Sequence, residues 1–398
     1  MANTNDISSE HFNRGADYLD RGDFDKAFEA YSEAARLAHS GADGAAAVAE
    51  ESLSGPDAII AECAEAIELN PSDADEYLRR ARAYSDKGEF DLALADCNKA
   101  ILLDPSNAEA FYNRGMVYSD MDDLDSALAD CNEAVRLDPL DSTAFVARGI
   151  VYSEACNFGN AAADYTEAIR LDPGNSAAYL NRGISYATEG NVDKAIAYFT
   201  TAIDIDPEYA FAYYYRGRMY SNKKDFDSAI EDYSAAIKLD PANAETYHYR
   251  GNAYGRNGAF NLAIADFTEA IRLDPNNANI YFNRAVVHKE RGDLDSAIAD
   301  YTEAIRFDPD DAASYVNRGA VYRKKGSDYK AISDYAKAIE LNPKHADAYY
   351  NRGLAYSDRG FVDKAIADFQ EAMRLNPKDK EAREELEELR MKREKLGG

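Results

Sequence analysis

Residues 244–277 read AETYHYRGNAYGRNGAFNLAIADFTEAIRLDPNN, and this stretch decides the fold. Tyr247, Gly251 and Tyr254 stand at i, i+4 and i+7, the spacing that lines up side chains on one face of a helix. Gly258 follows and can take the left-handed conformation that ends a helix. A second run carries Ala263, Phe267 and Ala270 and stops at Leu-Asp-Pro, because Pro275 cannot continue it. The stretch predicts two helices joined by a short turn, and the small Gly251 lets them approach closely.

The same pattern extends in both directions. Pro71, Pro105, Pro139, Pro173, Pro207, Pro241, Pro275, Pro309, Pro343 and Pro377 are 34 residues apart, and only Pro56 stands outside the series. Counting each repeat from the third residue after its proline, position 4 is Tyr or Phe from Tyr77 to Tyr349 and position 8 is Gly or Ala. Position 11 is Tyr in every repeat but one, where His288 replaces it. Asn107, Asp141, Asn175, Asn243, Asn277 and Asp311 can cap first helices, and Asp91, Asp125, Asp193, Asp227, Asp295 and Asp363 are expected to cap second helices.

A 34-residue helix–turn–helix period with these residues resembles the tetratricopeptide repeat (TPR) family. The resemblance implies an all-α fold, an alpha-alpha superhelix: a right-handed TPR solenoid of antiparallel helix pairs whose first helices line a concave groove. Nine consecutive repeats are expected at 74–379. Residues 8–39 are expected to form a further TPR-like unit, with Arg14, Gly15, Tyr18 and Gly22 in place, and 40–73 a degenerate one, with Asp43 and Glu50 where aromatics belong. Residues 1–7 are expected to be a disordered N-terminus. Residues 380–398 read as a capping helix and tail, with Ala382, Leu386 and Leu389 covering the last repeat.

Charge narrows the functional classes. Acids outnumber bases 73 to 45, for a formal charge of -28. Such a field repels phosphate backbones, so nucleic acid is not the expected partner. The start shows no signal-peptide pattern and no apolar run is long enough to span a bilayer, so we expect no membrane association and a cytoplasmic protein. Phosphate loops, dinucleotide fingerprints, nucleophile elbows and metal-ligand spacings are missing from the sequence. The expectation is a non-enzyme with no cofactor and no metal.

Two ladders read as structural. Arginine recurs at position 7 (Arg80, Arg114, Arg148, Arg182, Arg216, Arg250, Arg284, Arg318, Arg352), and sixteen residues later stands Asp96, Asp130, Asp164, Asp232, Asp266, Asp300, Asp334 or Asp368, with Tyr198 the exception. An acid that recurs with its base points to an ion pair inside each hairpin. Cys63, Cys97 and Cys131 occupy one place in successive repeats, too far apart for a disulfide, and read as small core residues. Cys156 stands in a turn-glycine position.

The candidate site lies on the first helices. Position 5 (Leu78, Tyr112, Val146, Leu180, Tyr214, His248, Phe282, Val316, Tyr350) and position 9 (Arg82, Met116, Ile150, Ile184, Arg218, Asn252, Val286, Ala320, Leu354) form i, i+4 pairs that read as a binding strip, or as packing against the neighbouring first helix. Asparagine recurs between them at Asn113, Asn181, Asn283, Asn317 and Asn351. This is similar to the asparagine ladder on the inner wall of the O-linked N-acetylglucosamine transferase repeats, which implies a grip on a peptide backbone. Arg79, Ala147, Tyr215 and Tyr249 interrupt it.

Mid-chain, aromatics and bases gather. The expected peptide-binding residues of the concave groove are Phe211, Tyr214, Tyr215, Arg218, His248, Tyr249, Asn252, Arg256, Asn283, Asn317 and Arg323, with Lys289 and Lys324 continuing the positive sign. We therefore expect a protein–protein interaction scaffold or adaptor that binds an extended peptide segment with apolar and acidic side chains. Alternatives are a self-assembling structural TPR protein and a co-chaperone of the carboxylate-clamp type. The closest approach to that clamp is His248 with Asn252, Asn283, and Ala313 with Asn317, which lacks both lysines and the arginine.

Overall fold

The hairpins close because the second helix carries Ala, Asp (Tyr198 in one repeat), a large or soft side chain and Ala in the one stripe that faces the first helix. In the repeat at 244–277 those residues are Ala263, Asp266, Phe267 and Ala270, all buried. The first helix presents a glycine to the bulky member. At the equivalent Gly183, a Cβ would lie 2.6 Å from Cε1 of Phe199, so no other residue fits without displacing that ring.

The computed structural model describes residues 55–397, and among them there are twenty helices and no strand. They are α1 (Pro56–Leu69), α2 (Ala74–Asp86), α3 (Phe90–Leu103), α4 (Ala108–Asp120), α5 (Leu124–Leu137), α6 (Ser142–Glu154), α7 (Phe158–Leu171), α8 (Ser176–Thr188), α9 (Val192–Ile205) and α10 (Ala210–Asn222). There follow α11 (Phe226–Leu239), α12 (Ala244–Arg256), α13 (Phe260–Leu273), α14 (Ala278–Arg291), α15 (Leu294–Phe307), α16 (Ala312–Lys324), α17 (Asp328–Leu341), α18 (Ala346–Asp358), α19 (Val362–Leu375) and α20 (Lys380–Gly397). The terminus expected at 1–7, the unit expected at 8–39 and the first part of the degenerate one lie outside the described residues.

The chain divides into two units, one up to Lys223 and one from Lys224. In the first, consecutive helices from α1 to α10 pack in order around continuous cores, the largest centred on Tyr179, Phe199, Ile203 and Ile205. In the second, Phe267, Tyr301, Tyr335 and Phe369 each anchor one hairpin, and α20 closes the stack with Ala382, Leu386 and Leu389 buried. Both units are all-α stacks of helix pairs.

Side-chain caps start the helices. Asn107 accepts from Ala110 N, Asp141 from Thr143 N and Asn243 from Thr246 N, as their positions predict. Four second helices are capped two residues earlier than expected, at Asp123, Asn191, Asp225 and Asp293, Asn157 caps α7, and the helices of Asp91 and Asp363 have no side-chain cap. Asp125 and its equivalents instead sit in the first turn, where a negative charge favours the helix dipole. Turn glycines such as Gly258 (φ 77°) are left-handed, and Asp122 (φ 63°) and Cys156 (φ 57°) are held in the same region. A side chain there costs about 1–2 kcal/mol.

Candidate functional site

The arginine ladder is internal. Arg80, Arg114, Arg148, Arg250, Arg284, Arg318 and Arg352 each donate from Nε and Nη2 to the two oxygens of the aspartate sixteen residues on, at 2.7–2.9 Å. This planar fork is the arrangement arginine makes best with a carboxylate. The third nitrogen reaches the preceding repeat: Nη1 donates to Asn98 from Arg114, to Ser234 from Arg250, to Thr268 from Arg284 and to Thr302 from Arg318. These guanidinium groups hold the stack together and are not offered to a ligand.

Arg182 is the exception, because Tyr198 stands where its aspartate would. Its guanidinium lies 4.3 Å from the centre of the Tyr186 ring, and Nη2 donates to Tyr186 Oη. Nε and Nη1 are buried with no hydrogen-bond partner among the described residues.

The cysteines are packed as expected. Cys63, Cys97 and Cys131 are fully buried, and burial, the largest cause in each case, pushes their thiols up to about 12. Cys156 is exposed.

On the first helices, position 5 mostly serves packing. Leu78, Val146, Leu180 and Tyr214 are all buried. Tyr214 therefore does not line a surface as its sequence position suggests: it is 6% exposed and its ring meets Tyr215 edge-on. Tyr215 stacks on Phe199, with ring centres 5.8 Å apart, so it too supports the core. The guanidinium of Arg218 lies over both tyrosine rings, at 5.6 and 5.8 Å. Phe211, two turns before Arg218, is 53% exposed.

The other seven expected site residues belong to the second unit. His248 of α12 and Asn283 of α14 meet, with Asn283 Nδ2 donating to His248 Nε2 at 2.7 Å. Burial lowers the His248 pKa, with the Glu245 charge opposing, so the ring is a neutral acceptor. Its ring lies beside Tyr249 and Phe267. Asn317 accepts from Lys289 Nζ at 3.3 Å, and Arg323 is paired with Asp358 at 2.8 Å. Asn252 is half-buried, and Arg256 is exposed with no ion pair among the described residues.

The asparagine row is narrower in chemistry than its sequence implies. Asn181, Asn317 and Asn351 each donate Nδ2 to the carbonyl four residues back in their own helix. That bond takes up one of the two Nδ2 hydrogens of each, leaving the other and the amide oxygen.

Two clefts flank the His248–Asn283 contact. One, of about 550 Å³, is lined by Glu245, His248, Tyr249, Asp274, Asn279 and Ile280 among others. The other, of about 490 Å³, is lined by Asn252, Arg256, Asn283, Val286 and Glu290. Gly255 stands where most repeats carry Ser or Ala and leaves room in the second cleft. Sequence reasoning missed Glu245, Asp274 and Asn279. Glu245 lies three residues before His248 on the same helix face, a signal that the period contained.

Helix hairpins of constant length, stacked in register and tied by a recurring ion pair, define a helical repeat protein with its variable residues on the first helices. Family models described as "TPR repeat" match residues 81–122, 217–258, 287–326 and 319–360. Models described as "Tetratricopeptide repeat" match 108–140, 146–210, 198–231, 244–277, 267–299 and 346–379. The chain belongs to the tetratricopeptide repeat family.

Among solved structures, it is similar to the C-terminal part of a TPR repeat-containing protein from Cytophaga hutchinsonii, with TM-score 0.51 and 18% identity over 60% of this chain and 98% of that one. It is also similar to MamA, with 33% identity over 41% of this chain and 95% of that one and TM-score 0.39. YrrB, described as a TPR protein with an unusual peptide-binding site, is 30% identical over 47% of this chain and 96% of that one, with TM-score 0.32. No curated protein matches the chain. The fold is one that serves as a protein–protein interaction scaffold, and proteins built from it are typically non-catalytic. No described helix is long and apolar enough to cross a membrane.

Proposed function

We propose that this protein is an adaptor that holds an extended segment of a partner protein along the first-helix faces. The observation that carries the reading is Phe211, a large apolar side chain left 53% exposed on a first helix, on the same face as the Arg218 guanidinium. Phenylalanine and arginine are both among the residues enriched at protein interfaces relative to the rest of the surface. The amide oxygens of Asn181 and Asn351 support it, since each can accept a peptide N–H. The proposed contact residues are Phe211 and Arg218 in the first unit and Asn252, Arg256, Asn283, Asn317 and Arg323 in the second, where His248 and Tyr249 shape the clefts. Arg256 and Lys324 favour acidic side chains in the ligand, and Phe211 an apolar one. The carboxylate-clamp reading gains no support, because His248, where that clamp has a lysine, is neutral and already bonded.

Phe211→Ala combined with Arg218→Glu tests the proposal. Affinity capture followed by mass spectrometry should recover a partner with the wild-type chain and lose it with the double variant, at unchanged melting temperature. Undiminished capture by the variant would move the site elsewhere. Tyr215 is left intact because its stacking on Phe199 would confound the result.

A further inference from the structure

The cleft between the N-terminal halves of α12 and α14 is unlike the rest of the proposed groove in charge. Among the described residues, no lysine or arginine lines it. Its walls are the rings of His248 and Tyr249 and the side chain of Ile280, and two carboxylates, Glu245 and Asp274, reach it from different elements. Glu245 is exposed and makes no ion pair among the described residues.

Asp274 departs from its equivalents. At the nine other helix-ending positions, Asn70, Asp104, Asp138, Asp172, Asp206, Asp240, Asp308, Asn342 and Asn376, Oδ1 accepts the backbone N–H two residues on. Asp274 is instead turned to Asn277 Nδ2, at 2.9 Å, and both residues line the cleft. His248 is neutral and its Nε2 is taken up by Asn283, so the imidazole does not oppose a cation.

We infer that this cleft is a subsite for a basic side chain of the bound segment, arginine before lysine. A guanidinium is flat, stacks on an aromatic face and donates in several directions at once, which suits a ring wall with carboxylates at its rim. The inference deepens the proposed groove reading and rests on it for the origin of the side chain. Across the His248–Asn283 contact, the second cleft carries the exposed Arg256. A ligand that places a base in the first cleft and an acid near the second is thereby given a direction along the second unit.

The test titrates N-acetyl-arginine amide, and separately its uncharged isostere N-acetyl-citrulline amide, into the full chain. Binding is read from the His248 imidazole signals by NMR, assigned through their loss in His248→Phe. The arginine compound should shift them saturably and bind about tenfold or more tightly than citrulline, as expected when charged hydrogen bonds are lost. Glu245→Gln with Asp274→Asn should remove that preference. Both changes preserve the fold on precedent within the chain: Asn already occupies the Asp274 place at Asn342 and Asn376, and Thr143 and Ala177 occupy the Glu245 place. Equal binding of citrulline, no saturable shift with either compound, or undiminished arginine binding by the folded double variant would overturn the subsite. Partner capture that survives Phe211→Ala with Arg218→Glu would instead overturn the groove reading and leave the arginine titration standing.

Discussion

Asn283 donates its side-chain amide to His248 across neighbouring first helices, at 2.7 Å, and the bond requires an imidazole with a free lone pair at Nε2. Burial lowers the His248 pKa below the ordinary 6.5, and the same cause lowers that of His288. A lowered folded value means that the unfolded chain binds the proton more tightly. The contribution to stability is therefore complete above about 6.5 and declines as pH falls through the folded value. His248→Phe, which copies Phe282 at the same place, should show a smaller fall in melting temperature between about pH 7.5 and about pH 5 than the wild type. An equal fall in the two proteins would contradict the assigned neutral state.

Arg250 and Asp266 form a largely buried fork, with side chains 17% and 9% exposed. Removing one member leaves an uncompensated charge, a loss of about 3 kcal/mol. Arg250→Ala should accordingly lower the denaturation midpoint sharply while leaving the slope of the transition unchanged. A midpoint within error of wild type would mean that the pair contributes nothing.

The gap in the ladder gives the converse prediction. Arg182 keeps two buried nitrogens without partners among the described residues, because Tyr198 replaces the aspartate. Tyr198→Asp and Tyr198→Asn both remove the ring contacts to Tyr179 and Tyr186. Only the aspartate restores the fork, so it should be the more stable of the two by about 2 kcal/mol. Equal stability by calorimetry would show that Arg182 cannot swing back to its usual place.

Thiol chemistry should single out one residue. Cys63, Cys97 and Cys131 are buried with thiols pushed up to about 12, so they hold their protons at pH 8. Iodoacetamide on the folded protein should label Cys156 alone, with four sites labelled only after denaturation. Cys156→Gly should abolish native labelling and raise stability by about 1 kcal/mol, because the left-handed backbone is then unstrained.

The period makes most of the fold legible. It identifies the helix pairs, the ion-pair partners and the buried thiols, because residues 34 apart share one environment whatever that environment is. It cannot say which of two adjacent surfaces a given place touches. Position 5 reads equally as a binding strip or as packing, and Leu78, Val146, Leu180 and Tyr214 prove to be packed, since neighbouring first helices approach closely enough to cover them. The second-helix caps fall at Asp123 and not Asp125 because the turn geometry, absent from a helical pattern, sets the first capped turn.

The candidate site is harder to read for the same reason. Phe211 and Arg256 stand out by type and by exposure, whereas Tyr215 looks like a contact residue and is committed to Phe199. Asp274 is the extreme case: in sequence it is one more Leu-Asp-Pro acid, and only its side-chain direction sets it apart. The amides of Asn181, Asn317 and Asn351 likewise turn back on their own helices, a choice that residue identity leaves open.

The third bond that several ladder arginines make has a consequence for how such a chain can change length. Arg250 grips Ser234 behind it, Arg284 grips Thr268 and Arg318 grips Thr302, so these successive hairpins offer one another an interchangeable hydroxyl socket. Excising or duplicating one whole period would bring together ends that already fit. The molecule is built to tolerate growth and shrinkage in steps of one hairpin, and to resist any other size of insertion.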